Sequence, residues 1–473
     1  MSNLINLAVQ VSRYLIIVLM VIYTVQSYTV FRRTNVRAKE YVFLRQNVSM
    51  FFLHFIAFLV MFLKTMNMTL AVFYGAQVIY LAATLILFKN LYPKASKLLI
   101  NNMCMLLTVG FIMVTRLSAD HSCNQAIKQF KIVVAGTAMA LIIPVIIRKL
   151  LVITKMTWAY SFVGIGLLGL VFVAARVTNG AKLSLNIGSF FTFQPSEFVK
   201  IIFVFAVAGL LADAKDFKRV VIATGLAAVH VLILVISTDL GSALIFFITY
   251  LVMLFASTRN PFLVLTGIIS GALASIAAYF MFSHIRVRVA IWRDPFSDYS
   301  EGGYQICQSL FSIAAGGWFG TGLYQGSPDA IPYVEQDMMF SAITEELGGI
   351  FSICLLLVCM SCFIMFINIS MKLTNRFYRL VALGLGTTYA VQVFLTVGGG
   401  MKLIPLTGVT LPLVSYGGSS VLSTLIMFAI VQGLYMLRRD EEDKDEEERF
   451  KKFQQQYQSS GDPAGYGNPG GQY

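Results

Sequence analysis

Charged side chains are scarce in this chain. Asp, Glu, Lys and Arg make up 12% of its 473 residues, about half of what a soluble globular domain carries. Hydrophobic residues make up 57% and the mean hydropathy is +0.75. A soluble enzyme is therefore excluded, and the chain reads as a polytopic membrane protein. Histidine is also rare. His54, His121, His230 and His284 stand at no ligand spacing, which argues against a His-built metal site. Cysteine is sparse, and Cys354, Cys359 and Cys362 share one apolar run, where a thiol packs as a small hydrophobe. No small-residue cleavage site follows the first apolar run, so no cleavable signal peptide is expected. Nor is there an internal repeat of the kind many carriers show.

What is present is a series of apolar runs of spanning length. They lie at 13–31, 46–63, 69–88, 98–115, 131–147, 158–175, 198–212, 219–236, 239–256, 262–282, 338–369, 378–398 and 415–437. The expected fold is an all-α bundle of thirteen membrane helices. A net charge of +13 invites a nucleic-acid partner, but the cations are dispersed among short loops. Each odd-numbered run is followed by such a loop, from Arg32, Arg33, Arg37 and Lys39 to Arg438 and Arg439. By the positive-inside rule the amino terminus is expected outside and the carboxyl terminus in the cytoplasm. The charge is topological, and no nucleic-acid partner is expected. Cys123 and Cys307 would then share the outer side, which alone would allow a disulfide between them.

Three polar stretches share the outer side in this scheme: 176–197, 283–337 and 399–414. The longest runs about 55 residues and is dense in Arg, Asp, Gly and aromatics. Loops of that length are functional or disordered, and its aromatic content argues against disorder. After Arg439 comes a charged run suited to a solvated helix. A Gln-, Gly- and Pro-rich end follows that cannot bury a core.

Several residues in these stretches suit chemistry. Asp337 closes the longest stretch and opens a helix. Partial desolvation there would raise its pKa, as a general base requires, whereas an Asp at a helix start is also an ordinary cap. Position alone leaves both readings open. Glu345 and Glu346 lie roughly 12 Å deeper along that helix. Ionisable groups inside a span are paired or functional. Glu197 and Lys200, in QPSEFVKI, sit three apart at a helix start. Glu197 complements the helix dipole, but Lys200 is misplaced there unless an anion is near. Asp239 in STDLGSA has the position of a helix cap. LIPLTGVTLPLVSYGGSS carries Pro405, Gly408, Pro412, Gly417 and Gly418, a break in helical backbone tolerated only inside protein or along a cavity.

Five segments in order resemble the SEDS family (shape, elongation, division and sporulation), typified by RodA, FtsW and SpoVE. They are QPSEFVKI (194–201), TDLGSA (238–243), DPFSDYSEGGYQICQS (294–309), VEQDMMFSAITEELG (334–348) and LPLVSYGGSS (411–420). The resemblance covers about 98–437 and implies a ten-helix core. Residues 1–97 would add three helices before it, and 438–473 would form a cytoplasmic tail. It implies a bacterial peptidoglycan glycosyltransferase that polymerises lipid II at the outer face of the plasma membrane. The expected partner is a class B penicillin-binding protein, for elongation, division or sporulation.

Under this resemblance the essential aspartate falls on Asp337, which would act as the base. Glu197, Lys200 and Asp239 match the QPSE and DLG motifs. Candidate substrate contacts are Lys182, Gln194, Glu197, Lys200, Asp239, Arg286, Arg288, Glu345, Ser415 and Ser419. Pyrophosphate is a good leaving group, so one carboxylate base and local positive charge form the minimum set. Lys200 with Arg286 or Arg288 would hold the pyrophosphate. A divalent cation, Mg²⁺, would join Asp337 and the substrate phosphates. Departures from the family pattern stand at Leu183, Ser184, Thr192 and Thr396. They leave an inactive regulator or scaffold in play, and the broken helical backbone with carboxylates inside the span leaves a carrier of lipid II in play.

Overall fold

The computed structural model describes residues 2–118, 123–149, 151–174, 185–187, 191–212 and 217–459. Three consecutive helices open the chain: α1 (Ser2–Arg32), α2 (Val36–Thr65) and α3 (Met68–Leu91). α4 (Lys97–Ser118), α5 (Asn124–Ala140), the short α6 (Ile143–Lys149) and α7 (Thr157–Ala174) follow. A two-stranded antiparallel hairpin, β1 (Leu185–Ile187) and β2 (Phe191–Phe193), sets Asn186 opposite Thr192 and leads into α8 (Pro195–Leu211). Next come α9 (Phe217–Ile236), α10 (Leu240–Thr258) and α11 (Pro261–Met281). The long polar stretch carries α12 (Ser283–Arg293) and α13 (Tyr304–Gly316). α14 (Met339–Lys372), α15 (Arg376–Gly400) and α16 (Gly418–Ser459) close the fold. The protein is a multi-pass helical membrane protein. Among the described residues, eleven helices are long and apolar enough to cross a membrane. α7 and α8, which fall on two further expected runs, are shorter, with 18 and 17 residues.

Local chemistry explains where helices begin. Asn35, Asn67, Asn260 and Asn375 each accept a hydrogen bond from the backbone N–H two residues on. That satisfies one orphan donor at the start of α2, α3, α11 and α15. The charged run after Arg439 continues α16 as a helix, as expected. Three features depart from the sequence reading. The run 131–147, read as continuous, is split into α5 and α6 by a turn at Leu141 and Ile142. The stretch 283–337 carries two helices, α12 and α13, where a loop was expected. The run 338–369, read as continuous, is broken at Gly348, whose φ of 89° and ψ of 165° lie outside the helical region. Only glycine takes that conformation readily.

The break is filled by backbone. Gly317 O and Trp318 O accept from the N–H groups of Gly349 and Ile350 at 2.9 and 3.2 Å. Thr321 N and Gly322 N donate to Glu345 O and Glu346 O at 2.8 and 2.9 Å. A Cβ on Gly348 would collide with the Gly320 amide and the Trp318 carbonyl. Residues 316–322 thus pair with α14 as a strand would, and the polar groups freed by the break find partners at depth.

Ion pairs sort the loops to two ends. At one, Lys94 and Arg148 both meet Asp440, and Lys97 meets Glu40. At the other, Gln125 and the Tyr416 amide meet Glu335, and Arg288 and Trp292 reach the 402–406 backbone. The expected polar stretches 283–337 and 399–414 do share an end. Cys123 and Cys307 also belong to it, yet both are free and buried, so the disulfide that sidedness alone would allow is not formed. Cys359 and Cys362, a C-x-x-C pair one helical turn apart in α14, are likewise free and buried.

Helices in lipid gain little from the hydrophobic effect on each other; packing and interhelical hydrogen bonds hold them. α4 shows this best, because it is buried from Leu98 to Ser118. On one side Gly110 lets the backbone of Leu413 and Val414 approach closely. On the other, α4 joins α1 and α2 through a buried polar chain. Gln46 donates to Ser27 (3.0 Å) and accepts from Asn101 (3.0 Å). Ser27 and Tyr23 donate to Asn102 Oδ1 at 3.2 and 3.1 Å, and Asn102 donates to Ser361 of α14 at 3.1 Å. At the far extreme, α11 has no buried residue.

Candidate active site

The starts of α8, α10 and α16 meet the end of the long polar stretch. Asp239 caps α10, accepting from Ser242 N at 3.1 Å, as its sequence position suggests. Its second oxygen accepts from Ser196 Oγ at 2.9 Å. Gln194 Nε2 in turn donates to Ser196 (3.2 Å), and the Gln194 amide donates to Ser419 Oγ (3.0 Å). Ser419 donates onward to Thr192 O at 2.9 Å. Burial pushes the Asp239 carboxyl up, against the hydrogen bonds of Ser242 and Ser196.

One turn into α8 the Glu197–Lys200 pair is formed at 2.5 Å, and both side chains are buried. This resolves the misplaced cation: its anion is on the same helix. Lys200 also donates to Gln392 Oε1 (2.7 Å), and Ser423 donates to Glu197 (3.0 Å). Gln392 holds the broken segment through Thr410 O at 3.1 Å. Thr396, a departure from the family pattern, bonds Val409 O at 2.9 Å. Removing one partner of a buried pair strands the other. Lys200→Met is therefore expected to cost about 3–5 kcal/mol, and Lys200→Met/Glu197→Gln to recover most of it. Thermal melts of the detergent-purified variants measure this.

Asp337 stands differently. It caps nothing: the residue before α14 is Met338, and it makes no side-chain cap. The carboxyl is half-buried and accepts from Gln305 Nε2 at 3.3 Å. Burial raises its pKa to about 6. Glu335 adds to the rise, and its own amide, Arg288 and Gln305 oppose it. Arg288 lies within electrostatic reach of both carboxylates. Burial lowers its pKa while Asp239 and Asp337 both support its charge, and its Nη1 donates to Leu406 O at 3.2 Å. Arg286, two residues earlier on α12, is exposed.

The remaining candidates separate. Glu345 accepts from Ser327 N at 2.7 Å, so it anchors the loop before Asp337. Ser415 accepts from Leu411 N at 3.0 Å inside the broken segment. Lys182, Leu183 and Ser184 lie outside the described residues. Sequence reasoning missed Arg116, Gln305 and Gln392. Arg116 donates to Glu346 (3.0 Å) and Asp329 (3.3 Å) and lies over the Tyr324 ring at 4.3 Å. A lone arginine at the end of an apolar run was the available signal. The two glutamines carry no charge and leave no such mark.

A membrane helix bundle with paired carboxylates and arginines at one end defines a polar-site membrane protein. The family follows from comparison. Residues 96–440 match the cell cycle protein model of FtsW, RodA and SpoVE. Peptidoglycan glycosyltransferase RodA of Mycobacterium leprae is 34% identical over 365 residues, 72% of this chain and 77% of that one. Stage V sporulation protein E of Bacillus subtilis is 31% identical over 342 residues, 69% of this chain and 92% of that one. A chain of a solved peptidoglycan synthase complex superposes with a TM-score of 0.61 at 24% identity, covering 73% of this chain and 98% of that one. Thermus thermophilus RodA superposes at 0.55 and 22% identity, covering 73% and 97%. These two likenesses speak for the fold alone. The chain belongs to the FtsW/RodA/SpoVE family.

Proposed function

We propose that this chain is a peptidoglycan glycosyltransferase that polymerises lipid II, with Asp337 as its general base. The observation that carries the reading is Asp337 itself: a half-buried carboxyl at a helix start that caps nothing and titrates near 6. A base needs a pKa near the working pH and freedom to meet its substrate. In the step, Asp337 takes the proton of the acceptor hydroxyl. The acceptor oxygen bonds the donor's anomeric carbon as the bond from that carbon to the lipid pyrophosphate breaks. Lys200 is held by Glu197 and Gln392, so Arg286 and Arg288 are the cations available to the departing pyrophosphate. Asp239 and Ser196 hold the starts of α8 and α10 in place beside them.

Among the described residues no three His, Cys, Asp or Glu side chains could hold a metal alone. A Mg²⁺ ion fits only as one shared by Asp337 and substrate phosphates, a common arrangement for this ion. It would neutralise charge on the pyrophosphate. The basic loops support a site on the outer face and a cytoplasmic tail. The partner is a class B penicillin-binding protein, in line with the synthase complex that this fold resembles. The first 97 residues would be an addition to the ten-helix core.

The test is incubation of the purified chain and its partner with lipid II, with Mg²⁺ or with EDTA. Glycan ladders are expected with Mg²⁺ and none with EDTA. Absence of ladders in both, with movement of lipid II across vesicles, would replace this reading by the carrier.

A further inference from the structure

The basic end of the bundle holds a cavity of about 530 Å³ at the seam where α1 and α2 meet α4, α14 and α16. Six cations line it: Lys39, Lys94, Lys97, Lys372, Arg438 and Arg439. Glu40 is the one acidic residue among the described lining. Ion pairs partly neutralise four of the six. Lys97 pairs with Glu40, Lys94 with Asp440 and Asp443, and Arg438 and Arg439 with Glu442. Among the described residues no carboxylate pairs with Lys39 or Lys372. The other wall is apolar, with Val30, Phe31, Phe43, Leu98 and Met365.

We propose that this cavity binds the phosphate head group of an anionic membrane lipid. A basic pocket between membrane helices at their cytoplasm-side boundary is suited to such a head group. The cations address the phosphate, and Lys39 and Lys372 supply charge that no carboxylate among the described residues uses. The apolar wall takes the glycerol and the first methylenes, which a soluble anion would leave dry. Because the walls come from both sides of the seam, the lipid holds α1 and α2 to the helices behind them. This site is far from Asp337 in function and does not depend on the activity assigned above.

The experiment uses the full chain in detergent, melted with added phosphatidylglycerol, phosphatidylcholine or glycerol phosphate. Ligand that binds only the folded state raises Tm by mass action. Phosphatidylglycerol is expected to raise Tm by about 3–5 °C, and the other two to do little. Lys39→Gln/Lys372→Gln should lose most of that rise, with lipid adducts in native mass spectrometry weakened roughly tenfold. Glu40→Gln, which frees Lys97, should strengthen those adducts and guards against a misfolded double variant. Equal shifts from phosphatidylcholine or glycerol phosphate overturn the proposal. So does a Lys39→Gln/Lys372→Gln protein that responds like wild type.

Discussion

Asp337→Ala is expected to lower lipid II polymerisation by about 10²- to 10⁴-fold, the usual contribution of a positioned general base. The chain should remain folded, because the carboxyl caps no helix and, among the described residues, its one side-chain hydrogen bond is from Gln305. In wild type the rate should fall about tenfold per pH unit below about 6, where burial holds this carboxyl and the base becomes protonated. Stability runs the other way. The folded pKa of about 6 lies above the ordinary value of 3.8, so ionisation works against the fold as pH rises between them. Asp337→Asn should therefore be more stable than wild type at pH 8, by about 1–2 kcal/mol, and nearly equal to it below pH 4. Gel ladders and melts across pH check both. A variant that keeps wild-type ladders would remove Asp337 from the chemistry.

The second large effect is on stability. Arg116→Ala should cost about 3–5 kcal/mol, the price of leaving a buried charge alone. Its guanidinium serves Glu346, Asp329 and Gly326 O while lying over Tyr324. Without it Glu346 keeps, among the described residues, the Tyr324 amide at 3.1 Å. Arg116→Lys restores charge but not the planar fork, and should recover only part of the loss. Arg116→Ala/Glu346→Gln should recover more. Amide exchange over 317–329 should rise in the single variant, since Arg116 ties that loop to α4. An unchanged melt for Arg116→Ala would show the contact to be incidental.

Much of this was legible because lipid imposes simple rules on sequence. The apolar runs fall on helices, though 131–147 is split between α5 and α6, and Asp239 caps where its position said it would. Asp337, Glu197, Lys200 and Arg288 also stood out, since an ionisable group beside apolar sequence is costly. What stayed hidden was pairing across distance. Gln305 and Gln392 look like ordinary polar residues until α13 and α15 bring them to Asp337 and Lys200. The break at Gly348 has no proline to announce it, and it exists because residues 316–322, distant in the sequence, supply its hydrogen bonds. Glu345 looked like part of the site, but the same pairing turns it toward the loop.

The polar chain from Gln46 through Asn101 and Asn102 to Ser361 bears on how the protein comes apart. A seam sealed only by apolar side chains could open in lipid with little loss, since methyl groups meet hydrocarbon on either side. Here separation would leave amides of α2 and α4 facing hydrocarbon with nothing to bond. The first three helices and the helices behind them should accordingly melt in one cooperative event rather than peel away in sequence. Cutting the chain at residue 97 would then yield a damaged bundle instead of a minimal enzyme.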